Sequence, residues 1–135
     1  MNINVEPNAS ELAELRGLLD LHRPGGYPFD VESFGLKAPP PIVAIKNKKV
    51  IGGVSFIWHP ILNDGEIGLW ITELFIAPEH RNNGYGTALV TAAMENRLPK
   101  QGLIIFTTTP KIFESCGWSF LISEPEYHLM KFEEN

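Results

Sequence analysis

Leu74-Phe75-Ile76-Ala77-Pro78-Glu79-His80-Arg81-Asn82-Asn83-Gly84-Tyr85-Gly86-Thr87 is the stretch whose reading decides the fold. An apolar run ends at Pro78, two glycines follow, and Leu89, Val90, Ala93 and Met94 then recur at helical spacing until Pro99. The chain therefore passes from a strand through a tight turn into a helix whose first amides lack an intrahelical acceptor. Gly84 and Gly86 remove side chains where the backbone would approach a ligand, and Arg81 adds to the positive end of the helix dipole. Such a segment suits a phosphate or pyrophosphate, although two glycines alone also suit an ordinary turn. Two rival phosphate motifs fail: a Walker loop needs a Lys after its last glycine, where Thr87 stands, and a dinucleotide fingerprint needs a third glycine where Leu89 stands.

Upstream, Glu66 to Ala77 reads as one strand, with Ile67, Leu69 and Ile71 on one parity and Leu74 and Ile76 on the other. The change near Glu73 predicts a bulge that re-aims the strand. Before it, Ile42–Ile45 and Val50–Ile57 flank the polar turn Asn47-Lys48-Lys49 and predict an antiparallel hairpin. Leu62 to Gly65 predicts a further turn. At the start, Ile3 and Val5 form a short strand, and Asn8 with Glu11 three positions on predicts a capping box. The helix it opens carries Leu12, Leu15, Leu18 and Leu19 on one face and stops at Arg23-Pro24-Gly25-Gly26. A short helix is expected near Asp30 to Leu36, within a segment that is otherwise loop. Downstream, Leu103–Phe106 predicts a central strand covered on both faces, Thr109-Pro110 opens a short helix to Cys116, and Trp118–Ile122 and Tyr127–Phe132 are two terminal strands. The order β-α-β-β-β-α-β-α-β-β is α+β.

The chain has 135 residues, enough for one domain spanning 1–135 with a real core. A net charge of −5 argues against a nucleic-acid partner. Cys116 is the only cysteine, and the stretch Met1 to Pro7 has neither the basic start nor the apolar run of a signal peptide, so a cytoplasmic location is expected. Without an uninterrupted apolar stretch of about 18 residues, no membrane span is expected.

Arg81-x-x-Gly84-x-Gly86 after a strand ending in a hydrophobic residue, Ala and Pro resembles the signature of the GNAT superfamily of acyl-CoA-dependent N-acetyltransferases. Ile112-Phe113-Glu114-Ser115-Cys116-Gly117-Trp118 is similar to that family's second signature, Phe-Tyr-Glu-Lys-x-Gly-Phe, and the element order agrees over nearly the whole chain. The resemblance implies a GNAT-like fold: one mixed, mostly antiparallel sheet of about seven strands, flanked by helices and splayed between its fourth and fifth strands. It implies acetyl-CoA as cosubstrate and no metal. The pantetheine arm would lie along Leu74, Phe75 and Ile76, and the pyrophosphate would rest on the segment Arg81, Asn82, Asn83, Gly84, Tyr85, Gly86 and Thr87. A strand amide near Phe75 or Ile76 would serve as oxyanion donor.

Attack by an amine needs a proton acceptor, and Glu73, beside the expected bulge at a place where the family often has a carboxylate, is the first candidate. Its alternative is a strand carboxylate that faces water. Glu66 is expected to be too distant, and His59 is a relay candidate or a surface residue. The sequence departs from the family at the general acid, where Phe113 stands in place of Tyr. The acceptor pocket is expected from 22–34 and 123–127, with Tyr27, Phe29 and Phe34 as aromatic faces and Asp30, Glu32, Glu124 and Glu126 as negative charge. That set favours an amine or other cation, the expected partner being a small-molecule or peptide amine; its alternative is core aromatics and solvated loop acids. An open strand edge allows a homodimer. The alternative to an active transferase is a catalytically weak module of the same fold that binds acyl-CoA or a protein.

Overall fold

The computed structural model describes residues 2–23, 32–61 and 65–133. Asn8 caps the first helix as its sequence predicts: its side chain accepts from the Glu11 amide at 2.8 Å, and the Glu11 carboxylate accepts from the Asn8 amide at 2.9 Å. In chain order the elements are β1 (Asn2–Asn4), α1 (Ala9–His22), β2 (Glu32–Ser33), β3 (Leu36–Lys37), β4 (Ile42–Lys46), β5 (Lys49–Pro60) and β6 (Ile67–Ile76). A 3-10 turn (Pro78–His80) leads to α2 (Tyr85–Arg97), β7 (Leu103–Thr107), α3 (Lys111–Ser115), β8 (Ser119–Ser123) and β9 (His128–Phe132).

Seven strands form one sheet in the order β1-β4-β5-β6-β7-β9-β8, in which β6 and β7 are the parallel pair and the other pairs are antiparallel. The expected helix near Asp30 to Leu36 is corrected in its described part: β2 and β3 form a two-stranded hairpin. Phe34 (φ 56°) and Gly35 (φ 74°) both adopt left-handed backbone there, which suits the twist of a tight hairpin and cannot continue a helix.

Alternation along the strands sends side chains to two cores. Val43, Val50 and Phe75 meet Leu15 and Leu19 of α1 on one face. On the other, Ile42, Val54, Phe56, Leu69 and Ile71 meet Leu89, Val90 and Ala93 of α2, together with Phe113 and Trp118. β7 departs from the expected burial: Leu103, Ile104 and Ile105 are buried, whereas Phe106 is 58% exposed and stacks on Tyr127 with centroids 5.1 Å apart.

Two features of β6 open the sheet. Ser55 pairs with Glu73 but Phe56 with Ile71, so Thr72 is the extra residue of a bulge, at the predicted change of parity. The ladder to β7 ends at Ile71–Ile105, and beyond it the two strands no longer pair. This is the expected splay.

Candidate active site

Two cavities meet where β6 and β7 part. The larger, of about 940 Å³, runs from Leu74, Phe75 and Ile76 across the turn to the start of α2, with Thr108 to Ile112 opposite. The other, of about 690 Å³, holds Glu73, Thr72, His59 and Trp70 on one side and Ile105 to Thr109 with Phe113 on the other. Arg23, Leu74, Thr108 and Thr109 line both.

The first cavity contains nearly all of the residues read as a phosphate site. Gly84 is the N-cap of α2 with φ 81°, a left-handed conformation that L side chains rarely adopt, and open space surrounds the place of a Cβ. No side chain caps the helix, and its first internal bond runs from the Ala88 amide to the Gly84 carbonyl at 3.0 Å. The amides of Tyr85, Gly86 and Thr87 thus precede the first intrahelical bond, at the positive end of a helix of 13 residues. Gly86 has a packing role as well: a Cβ there would come within 2.9 Å of the Ile112 side chain.

Arg81 is more than a charge beside this loop. Its Nε donates to the Ile76 carbonyl at 2.8 Å, and its guanidinium carbon lies 5.4 Å from the centre of the Phe75 ring, so it braces the end of β6. Asn83 does not line the cavity. Its side-chain amide donates to the carbonyls of His80 and Arg81, both at 3.3 Å, and knits the turn. His80 and Lys111 do line it and escaped the sequence reading, because neither belongs to a fixed position of the loop pattern.

Glu73 is 9% exposed and faces the second cavity. Its Oε1 lies 2.9 Å from Nη1 of Arg23, the residue that ends α1. Burial raises the Glu73 carboxyl above the ordinary glutamate range, and the neighbouring Arg23 charge offsets part of that rise. The Glu73–Arg23 pair was missed because Arg23 reads only as a helix stop and the contact spans fifty positions of sequence.

The other expectations divide. Phe113 is 1% exposed, packs edge-on against Trp118 at 5.1 Å and borders the Glu73 cavity. His59 is exposed, in the same cavity, with its ring edge-on to Trp70 at 5.8 Å. Glu66 immediately precedes β6 at its far end and lines neither cavity. Glu124 and Glu126 line a separate, smaller depression with Tyr127 and line neither of the two cavities. Tyr27 and Phe29, read as aromatic faces of the acceptor pocket, lie outside the described residues, as does Asp30.

Residues 12–115, well over half of the chain, match the model of the acetyltransferase (GNAT) family. The chain belongs to the GNAT acetyltransferase family. Solved structures carry the same fold at low identity, among them Arabidopsis thaliana Naa50 in complex with the bisubstrate analogue CoA-Ac-MVNAL, at 13% identity, TM-score 0.70 and 98% coverage of each chain. An aminoglycoside 6'-acetyltransferase type Ii matches at 15% identity and TM-score 0.70, over 98% of this chain and 97% of its own. The protein yncA from Salmonella typhimurium, solved with its cofactor acetyl-CoA, matches at 14% identity and TM-score 0.68, over 98% of this chain and 93% of its own. No curated protein sequence matches significantly. For this GNAT chain, no helix among the described residues is long and apolar enough to cross a membrane. No group of three or more His, Cys, Asp or Glu among them is placed to hold a metal ion.

Proposed function

We propose that this chain is an N-acetyltransferase that moves an acetyl group from acetyl-CoA to a primary amine, of a small molecule or a peptide, by direct attack in a ternary complex. The observation that carries this reading is the position of Glu73. It is a buried carboxylate where β6 and β7 part, in a cavity that adjoins the glycine loop through Arg23 and Leu74.

The groups present fit the cosubstrate. The start of α2 offers amides and no side-chain cap, and Gly84 leaves open space where a phosphate would sit. Beyond Ile71 the main chain of β6 is released from β7, which leaves Leu74 to Ile76 accessible to an extended pantetheine arm. Acetyl-CoA supplies the acyl group as an activated thioester. Glu73 takes a proton from the incoming ammonium, directly or through one water, and the freed lone pair attacks the thioester carbonyl. A β6 amide near Phe75 or Ile76 stabilises the oxyanion. The C–N bond forms, the C–S bond breaks, sulfur departs with the electron pair, and the second proton lost by nitrogen passes through water to the departing thiolate or to solvent.

Phe113 offers no hydroxyl to protonate that sulfur. A thiol of pKa near about 8.5 leaves adequately as thiolate, so the absence slows the reaction without abolishing it. The same residue supports a second reading, a module that binds acyl-CoA and turns over little. Release of free thiol from acetyl-CoA in the presence of a panel of amines separates the two. Amine-dependent release that Glu73→Gln removes supports the transferase, and coenzyme binding with no amine-dependent release supports the module.

A further inference from the structure

The Arg23–Glu73 pair is built unequally. Glu73 is 9% exposed, whereas Arg23 is 53% exposed. A buried carboxylate without a partner costs several kcal/mol, but a guanidinium already half in water loses little on returning to it. The backbone of Arg23 is fixed as the cap of α1, where its amide donates to the Leu19 carbonyl at 2.6 Å. Its side chain reaches the boundary of the two cavities, with the guanidinium carbon 5.8 Å from the Phe75 ring.

Few other charges share this place among the described residues. From α1, the His22 ring stacks on Phe75 at 5.4 Å. Arg81, beyond the end of β6, also stands over Phe75. His59 of β5 lies in the same cavity, and the wall from β7 to α3 contributes the neutral side chains of Ile105 to Thr109 and Phe113. Arg23 is the cation in contact with Glu73.

We propose that Arg23 is a positioning residue that holds the Glu73 carboxylate charged and aimed at the junction of the cavities, and that yields this place to the acceptor's ammonium group. The proposal rests on the reading of Glu73 as proton acceptor. An ammonium arriving at Glu73 replaces one cation with another, so the carboxylate is never left buried and unpaired. Arg23 swings toward water, the amine gives its proton to Glu73, and transfer proceeds as above. Because the arriving amine must compete with Arg23, removing the guanidinium should weaken turnover without weakening acceptor binding.

The test uses Arg23→Gln and Arg23→Lys beside Glu73→Gln. NMR titration of the Glu73 carboxyl carbon, assigned by its absence in Glu73→Gln, should move to higher pH in Arg23→Gln and return toward wild type in Arg23→Lys. The acidic limb of kcat/KM for the amine, which reports the free enzyme, should move the same way, with a several-fold loss at neutral pH, an unchanged or lower KM for the amine, and partial recovery when guanidinium ion is added. An unaltered carboxyl titration and limb in Arg23→Gln would overturn the proposal, as would a raised acceptor KM with the limb in place. Glu73→Gln with undiminished turnover would instead remove the proton-acceptor reading, and the carboxyl titration would still decide whether Arg23 sets the charge at Glu73.

Discussion

The two cavities are made by different means. On the glycine-loop side the chain presents backbone: the first amides of α2, a left-handed Gly84 and the freed edge of β6, all from one continuous stretch of sequence. On the Glu73 side it presents side chains gathered from the end of α1, from β5, β6 and β7, and from α3. Backbone recognition needs a local pattern and tolerates drift at most positions, whereas a side-chain site depends on long-range placement and on every neighbour. The first can therefore be read from a local pattern, and the second is where the chemistry proposed above would be set.

That contrast breaks if a side-chain change on the Glu73 side alters coenzyme binding, or if a loop change alters the chemical step alone. The largest effect is expected from Glu73→Gln, which should lower kcat by roughly 10²-fold or more while the rise in melting temperature given by CoA persists. Gly84→Val should do the reverse. A β-branched residue at φ 81° is strained by about 1–2 kcal/mol and fills the space in front of the amides, so the CoA-induced shift in melting temperature should disappear while the variant still folds.

The pH dependence sharpens the comparison further. Glu73 must be ionised to accept a proton, and burial raises its carboxyl, so activity should fall on the acid side at a pH above the ordinary glutamate range. Glu73→Gln should erase this limb. Stability carries the same signature with its own sign: the folded chain binds this proton more tightly than the unfolded chain does. The contribution of Glu73 is therefore fully present below the ordinary glutamate range and is lost as pH rises through the folded-state value. Melting curves of wild type and Glu73→Gln should diverge across that window.

The smallest effect is expected from Phe113→Tyr. Adding a hydroxyl where the proposed mechanism puts the sulfur should raise a measurable wild-type rate modestly, at most by the roughly 10²-fold lower bound for a positioned acid, and leave CoA binding unchanged. A wild type and variant that are both inactive with every amine would favour the binding module.

What could be read from sequence follows the same division. The order of elements outside the 32–37 hairpin, the capping box at Asn8 and Glu11, the parity change near Glu73 and the turn that leads into α2 at Gly84 all depend on spacing within one window, and each stands in the structure. The hairpin at 32–37 was misread as a helix because its turn places Phe34, a non-glycine, at positive φ. Phe106 sits in a continuous apolar run that reads as covered on both faces, yet its ring is turned out against Tyr127. Glu124 and Glu126 are grouped with the acceptor pocket by charge, and the β8–β9 turn sets them on a depression of their own, apart from the lining of the Glu73 cavity. Arg23 is the clearest case, since no local pattern links the end of a helix to a carboxylate on the fifth strand after it.

The bulge at Thr72 has a consequence for how such a site is acquired. Because Thr72 is the one residue in excess, a chain without it would keep Ile71, Glu73, Leu74 and Phe75 on the faces they now occupy, with strict alternation restored. Both hydrophobic cores would survive its removal, and a straight β6 could go on pairing with β7 past Ile105, closing the space in front of Glu73. The opening is thus an insertion in the literal sense, one residue that lies outside both apolar cores, pairs its hydroxyl with buried Ser55 at 3.2 Å and borders the site. Deleting it is a change of geometry that no substitution at position 72 reproduces.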